Sequence, residues 1–360
     1  MTTTTEQAPG ALMASETSEQ PEVWRRLISA STGDSDIARA AALVRKYKPR
    51  FVLFVARGSS DHAALYAKYV AEIVHQLPCG LVSPSTMTAY GARPDLSDVL
   101  MIGVSQSGGS PDLVQSLEVG RASGALSIAV TNNADSALAT AAQAHVDIQA
   151  GPELAVAATK SYTAQLLALY LLFAAIREQT AQDHPVSGGD FERLCDAAEE
   201  LVAADGTVAE LAQRYRFASR LVTTGRGYSY PTVREGALKL METCYLSAQA
   251  FSGADLLHGP LAMIDPQVPV LTVAAEGLGG EAMRQVFPRL AEQGADVFCV
   301  GTTAAVRAAD TGVTLPSGVS EELSPLLEII PFQQLALHLA IARGGNPDAP
   351  RGLRKVTETV

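Results

Sequence analysis

Val99-Leu100-Met101-Ile102-Gly103-Val104-Ser105-Gln106-Ser107-Gly108-Gly109-Ser110-Pro111 is the stretch on which the fold turns. Val99 to Val104 is a short apolar run, the pattern of a strand buried on both faces. Three hydroxyls and two glycines follow, and Pro111 suits the first turn of a helix, where its missing N–H costs nothing. The order strand, tight turn, helix sets a polar turn at a strand's carboxyl end. The free N–H groups and dipole of the helix N-terminus converge there on an anion such as phosphate. Ser110 also suits simple helix capping, but capping needs neither Ser105 nor Ser107.

The pattern recurs on both sides of this stretch. Phe51 to Ala56 leads into Gly58-Ser59-Ser60 and a helix reaching His75, and Ala125 to Val130 leads into Thr131-Asn132-Asn133. Beyond the polar segment Pro185 to Asp190 a second round begins with Arg220 to Thr224, Gly225-Arg226-Gly227 and a helix from about Pro231. Pro269 to Ala274, a helix over Glu281 to Gln293, and Ala295 to Val300 complete it. Strands alternating with helices predict an α/β chain of two domains, each a doubly wound parallel sheet flanked by helices. The expected divisions are a disordered N-terminal tail over 1–18, a first domain over 19–190, a second over 191–345, and a C-terminal tail over 346–360. A last helix, about Glu322 to Arg343, stops at Gly344-Gly345 with Pro347 beyond.

With 360 residues and 47% hydrophobic content, the chain can bury a core in each domain. A formal charge of −11 and the absence of a basic stripe argue against nucleic acid and anionic membrane as partners. A phosphate ligand would therefore depend on local N–H groups, hydroxyls and one or two cations. Cys79, Cys195, Cys244 and Cys299 show neither zinc nor disulfide spacing, so no metal or cofactor is expected. The longest apolar run, Leu166 to Ile176, is shorter than the ~18 to 20 residues of a spanning helix. The Thr-rich start lacks the features of a secretory signal, Met13 is an alternative start, and a cytoplasmic setting is expected.

Candidates for proton chemistry lie in the second half. A helix from Thr232 to about Ala248 sets Glu235, Lys239 and Glu242 on one face. Such a face is ordinarily solvated, and Thr232-x-x-Glu235 fits a capping box. Glu242 precedes the small and apolar residues Thr243 to Ala250, which predicts the partly buried carboxylate that a general base needs. His258, in Leu256-Leu257-His258-Gly259-Pro260, has no evident packing use. Lys355 lies in a tail that keeps Leu353 and Val356, so the tail is expected to dock and carry Lys355 to a site.

Together, Arg57-Gly58-Ser59-Ser60, Ser105-Gln106-Ser107-Gly108, Ala157-Ala158-Thr159-Lys160, Glu235-Gly236-Ala237-Leu238-Lys239-Leu240, Leu257-His258-Gly259-Pro260 and Arg351-x-Leu353-x-Lys355 closely resemble the sugar isomerase (SIS) domains. The likeness is to the isomerase half of glucosamine-6-phosphate synthase and to free-standing type II glucosamine-6-phosphate deaminases. It runs from about Gln20 to the C-terminus. The resemblance implies a substrate-binding set of Ser59, Ser60, Ser105, Gln106, Ser107, Ser110, Ala157 and Thr159. It implies that Glu242 moves the proton between C1 and C2, that His258 helps open the ring, that Lys355 engages the open-chain carbonyl or forms an imine with it, and that Lys239 stands beside them. It further implies a homodimer with shared active sites, since the synthase takes this histidine from a neighbouring subunit. Arg57 stands where the synthase has cysteine, Gly109-Ser110 where it has Glu-Thr, and no cysteine near the start could release ammonia from glutamine. These departures point to the deaminases.

The expected reaction is conversion of an amino-sugar 6-phosphate to a ketose 6-phosphate and ammonia. The same residues acting on N-acetylglucosamine 6-phosphate would instead give dehydration or epimerisation. An alternative of another class is a noncatalytic sugar-phosphate sensor, although no basic DNA-binding module precedes the first sheet.

Overall fold

Aliphatic runs build the interior strands, and polar turns and helices connect them. The computed structural model describes residues 8–177 and 188–355. One sheet contains β1 (Phe51–Val55), β2 (Cys79–Leu81), β3 (Val99–Ser105), β4 (Leu126–Thr131) and β5 (Ala144–Asp147). The other contains β6 (Arg220–Gly225), β7 (Ser247–Ser252), β8 (Val270–Ala274), β9 (Val297–Gly301) and β10 (Thr311–Thr314). Their orders, β2-β1-β3-β4-β5 and β10-β9-β8-β6-β7, are one topology read from opposite ends. Every pairing is parallel. In each sheet the chain runs out to an edge strand and then crosses back, which opens a crevice at the carboxyl ends of the first and third strands.

The first sheet belongs to a unit made of Gln20–Pro152 and the described part of Lys160–Cys195. The second belongs to a unit of Asp196–Lys355 joined by residues 8–19 and Glu153–Thr159. The first core includes Val55, Met101, Leu113, Leu117 and Leu138, and the second includes Val222, Leu256, Val270, Met283 and Leu290. Burying each such side chain contributes about 1.5–3 kcal/mol.

Several expectations change. The N-terminal residues from Ala11 to Ser18 form a helix rather than a disordered tail. Met13 is fully buried, and its N–H donates to Asp348 Oδ1 at 2.8 Å. The local sequence hid this because its partner is 335 residues away. The helix expected over Thr232 to Ala248 is Ser229–Cys244. Tyr245 adopts a left-handed conformation that ends it, and Ser247–Ser252 becomes an edge strand. The helix expected over Glu281 to Gln293 is two helices, Leu278–Met283 and Val286–Glu292. Residues 185–187 of the expected boundary and the tail beyond Lys355 lie outside the described residues.

The apolar run Leu166 to Ile176 lies in the helix Lys160–Arg177, buried as far as Phe173. The helix Ser324–Ala342 is long and apolar enough to cross a membrane, but 83% of its apolar window is buried in the structure. It also carries a fully buried carboxylate, Glu328.

Candidate active site

In the first unit, β3 delivers Ser105 to the turn. The Ser105 hydroxyl accepts from Gly108 N at 3.1 Å, and that of Ser107 accepts from Gly109 N at 3.3 Å. Gly108 has φ +65°, and a Cβ there would lie 2.3 Å from Ser136 Oγ, so the turn can close only around glycine. Asn132 N donates to Gln106 O at 3.1 Å, tying the turn to the one after β4. Ser110 occupies the N-cap of the helix Pro111–Ala122 yet makes no side-chain capping bond. The capping explanation therefore leaves its hydroxyl unused.

Ser59 and Ser60 open the helix Gly58–Val74, directly after β1. Because β1 and β3 are neighbours in the sheet, the two turns flank one crevice. An ion pair also joins them: Arg57 Nε and Nη2 lie 2.9 and 2.8 Å from Asp112 Oδ2.

In the second unit, the Glu235-Lys239-Glu242 face is not the solvated face that its composition suggested. Lys239 Nζ is buried 3.3 Å from Glu235 Oε1 and 2.6 Å from Glu242 Oε2, and only Glu242 keeps appreciable exposure, 24%. Burial acts to lower the Lys239 pKa. The two carboxylates outweigh it and hold the ammonium above the ordinary lysine range. Lys239 is thus a fixed cation. The capping-box reading is also corrected: Thr232 lies inside the helix Ser229–Cys244, and its hydroxyl donates to Glu328 Oε2 at 2.8 Å. Ser229 and Ser324 donate to Oε1 of the same carboxylate at 2.8 and 2.6 Å. Burial raises the Glu328 pKa and the three hydroxyls work against it.

His258 follows the short helix Gly253–Leu257. It is exposed, with its N–H donating to Asp255 O at 3.0 Å. Arg351 to Arg354 stay exposed, Leu353 at 42%, so Leu353 does not anchor the tail as expected. Lys355 is held instead by its own ammonium, Nζ donating to Glu153 Oε2 and Ala155 O, both at 2.7 Å. Glu153 also accepts from Thr159 N at 2.9 Å. Glu16, from the helix that replaces the expected tail, accepts from Ala155 N at 3.3 Å. Burial raises its pKa. Ala157 and Thr159 are both buried, and Thr159 Oγ1 has no hydrogen-bond partner.

Lys355 and Thr159 therefore meet at Glu153, a residue that sequence reasoning passed over. Its one signal was a carboxylate just ahead of the Ala157-Ala158-Thr159-Lys160 motif. Glu328 gave no signal at all. The cysteines are free thiols. Burial pushes Cys244 and Cys299 up to about 11 and Cys79 to about 12, which makes them poor nucleophiles.

The SIS domain profile matches residues 47–175 and 215–343, so the chain belongs to the SIS domain family and carries the domain twice. It is 32% identical over 345 residues to the glutamine–fructose-6-phosphate aminotransferase (isomerizing) of Pyrococcus horikoshii, covering 95% of this chain and 57% of that protein. The chain thus spans little more than half of that relative's length. A structure from Silicibacter pomeroyi DSS-3, described as a candidate phosphosugar isomerase, is 35% identical with a TM-score of 0.80, covering 94% of this chain and 99% of the other. The glucosamine-6-phosphate deaminase of Thermotoga maritima shares the fold at 24% identity and TM-score 0.71, covering 90% and 98%.

Proposed function

We propose that this chain is a sugar-phosphate isomerase whose substrate is an amino-sugar 6-phosphate, converted with one water to a ketose 6-phosphate and ammonia. The observation that carries the reading is Glu242, a partly exposed carboxylate held through Oε2 by the buried Lys239 ammonium at 2.6 Å. A carboxylate steadied by one oxygen and offered by the other is suited to moving a proton between adjacent carbons. The hydroxyls of Ser105, Ser107 and Ser110 take the phosphate. His258 assists ring opening, Glu242 removes the C2 proton and returns it at C1, and Lys355 engages the open-chain carbonyl. Water then hydrolyses the C2 imine, releasing ammonia. Relatives named for an aminotransferase and for phosphosugar isomerisation support the substrate class, and the free thiols suit a reducing, cytoplasmic setting.

Incubation with free and N-acetylated amino-sugar 6-phosphates, with products read by mass and ammonia release, tests this reading. Ammonia from glucosamine 6-phosphate is expected. Loss of water from the N-acetylated sugar, without ammonia from the free amine, would replace deamination by dehydration. Glu242→Gln should lower turnover about a hundredfold or more while substrate affinity stays within about tenfold, and unchanged turnover would remove Glu242 from proton transfer.

The exposure of His258 supports its use by a second copy of the chain in a homodimer. Mixing inactive His258→Ala and Lys355→Ala subunits should then restore part of the activity. No recovery despite demonstrated subunit exchange would mean that each chain uses its own histidine.

A further inference from the structure

We propose that Arg57 is the cation of the phosphate cradle, a specificity-determining residue for phosphorylated substrates that Asp112 holds in place. The assignment rests on the reading of Ser105 to Ser110 as a phosphate turn. A chain of formal charge −11 repels a phosphate at long range, so a fixed cation beside the amides and hydroxyls of the turn strengthens its hold, and the hydroxyl turn itself contains none. Arg57 is the last residue before Gly58-Ser59-Ser60, at the carboxyl end of β1. Asp112 lies in the first turn of the helix that Ser110 begins. The ion pair therefore spans the crevice between β1 and β3 where both serine turns lie.

Its geometry is one-sided. Nε and Nη2 both engage Oδ2, which leaves Nη1 without a partner among the described residues. Arg57 is 52% exposed, whereas Asp112 is 2% exposed. A surface ion pair formed for stability would contribute little. Packing gives no reason to bury a carboxylate whose Oδ1 has no hydrogen-bond partner. The helix dipole explains a negative charge at Asp112, but it does not explain a guanidinium fixed across the crevice. A guanidinium aimed by a buried carboxylate, with an edge open to solvent, can bind a phosphate through two parallel N–H groups.

The test uses the full chain and three probes, glucosamine 6-phosphate, inorganic phosphate and unphosphorylated glucosamine, titrated at low and high salt. Arg57→Ala should weaken both phosphate ligands about ten- to a hundredfold, leave glucosamine unaffected, and lose most of the salt dependence of the parent. Arg57→Lys, which keeps the charge without the fork, should recover part of the affinity and of the salt dependence. Asp112→Asn should weaken phosphate binding in the parent and add nothing in an Arg57→Ala background, a coupling that a merely structural role would not produce.

If Arg57→Ala binds both ligands like the parent while Ser107→Ala does not, the turn holds phosphate without Arg57 and the inference is wrong. If the parent binds neither phosphate ligand, the phosphate-turn reading fails and the assignment of Arg57 falls with it.

Discussion

The crevice at β1 and β3 and the crevice at β6 and β8 hold the same place in one topology, yet the chain completes them differently. After β3, the hydroxyls of Ser105, Ser107 and Ser110 line the turn, and the Ser110 hydroxyl makes no capping bond. After β8, the corresponding turn is Ala275-Glu276-Gly277-Leu278-Gly279-Gly280, and an internal group fills it. Leu278 N and Gly279 N donate to the Glu321 carboxylate at 2.9 and 2.7 Å. A Cβ on Gly277, which has φ +123°, would lie 2.3 Å from Glu321 Cδ.

The helices that follow the first strand of each sheet differ in the opposite sense. Gly58–Val74 buries Ala63, Ala64, Ala67 and Ala71 together with His62 and Tyr66, whereas Ser229–Cys244 buries the ion pair of Glu235 and Lys239. One fold can thus place its polar chemistry at a turn or inside a helix. Here the first copy has a turn whose Ser110 hydroxyl is left uncapped, and the second has a sealed turn and a charged helix.

The contrast can be broken most sharply at Lys239. Lys239→Met leaves Glu235 and Glu242 without their buried cation and should cost about 3–5 kcal/mol of stability, read from denaturant midpoints. A loss below about 1 kcal/mol would mean that the helix interior does not depend on its charges.

A smaller and more selective effect separates the two turns. Glu321→Ala should cost about 1–3 kcal/mol in stability, as two backbone donors lose their acceptor, and leave sugar-phosphate affinity unchanged. Ser107→Ala should lower affinity for every phosphorylated sugar alike and keep stability within about 0.5 kcal/mol. Exchanged phenotypes would reverse the assignment of the uncapped and sealed turns.

The smallest effect concerns pH. Burial raises the folded-state pKa of Glu328 above its ordinary value, so its contribution to stability is fully present below about pH 4 and fades as pH climbs through the raised value. The melting temperature of the parent relative to Glu328→Gln should therefore fall between pH 4 and pH 8. A difference that grows with pH would show that the hydroxyls of Ser229, Thr232 and Ser324 outweigh burial and hold the carboxylate ionised.

The interior strands were legible because a parallel strand covered on both faces must be apolar throughout. β1, β3 and β9 appear as such runs, β4 and β8 are interrupted only by Ser127 and Thr272, and β6 shows the weakest run, Leu221-Val222 beside Thr223 and Thr224. The edge strands β2, β5, β7 and β10 did not, since each is paired on one side only and is partly exposed. The start of Ser247–Ser252 falls inside the helix expected to about Ala248, because its small residues carry no strand pattern of their own. The serine turns and the Glu235-Lys239-Glu242 spacing were likewise visible, because each is a local pattern of residue types. The sequence alone determined two α/β domains, their polar turns and the candidate proton-transfer face. Only the tertiary structure decided that this face is buried, that Glu328 clamps the start of its helix, that Glu153 and the N-terminal helix receive Lys355 and Asp348, and that Arg57 faces Asp112. Those pairings join residues 55 to 335 positions apart. Periodicity and spacing report what neighbouring residues do together, whereas a carboxylate's partner across such a distance is set by how the chain packs.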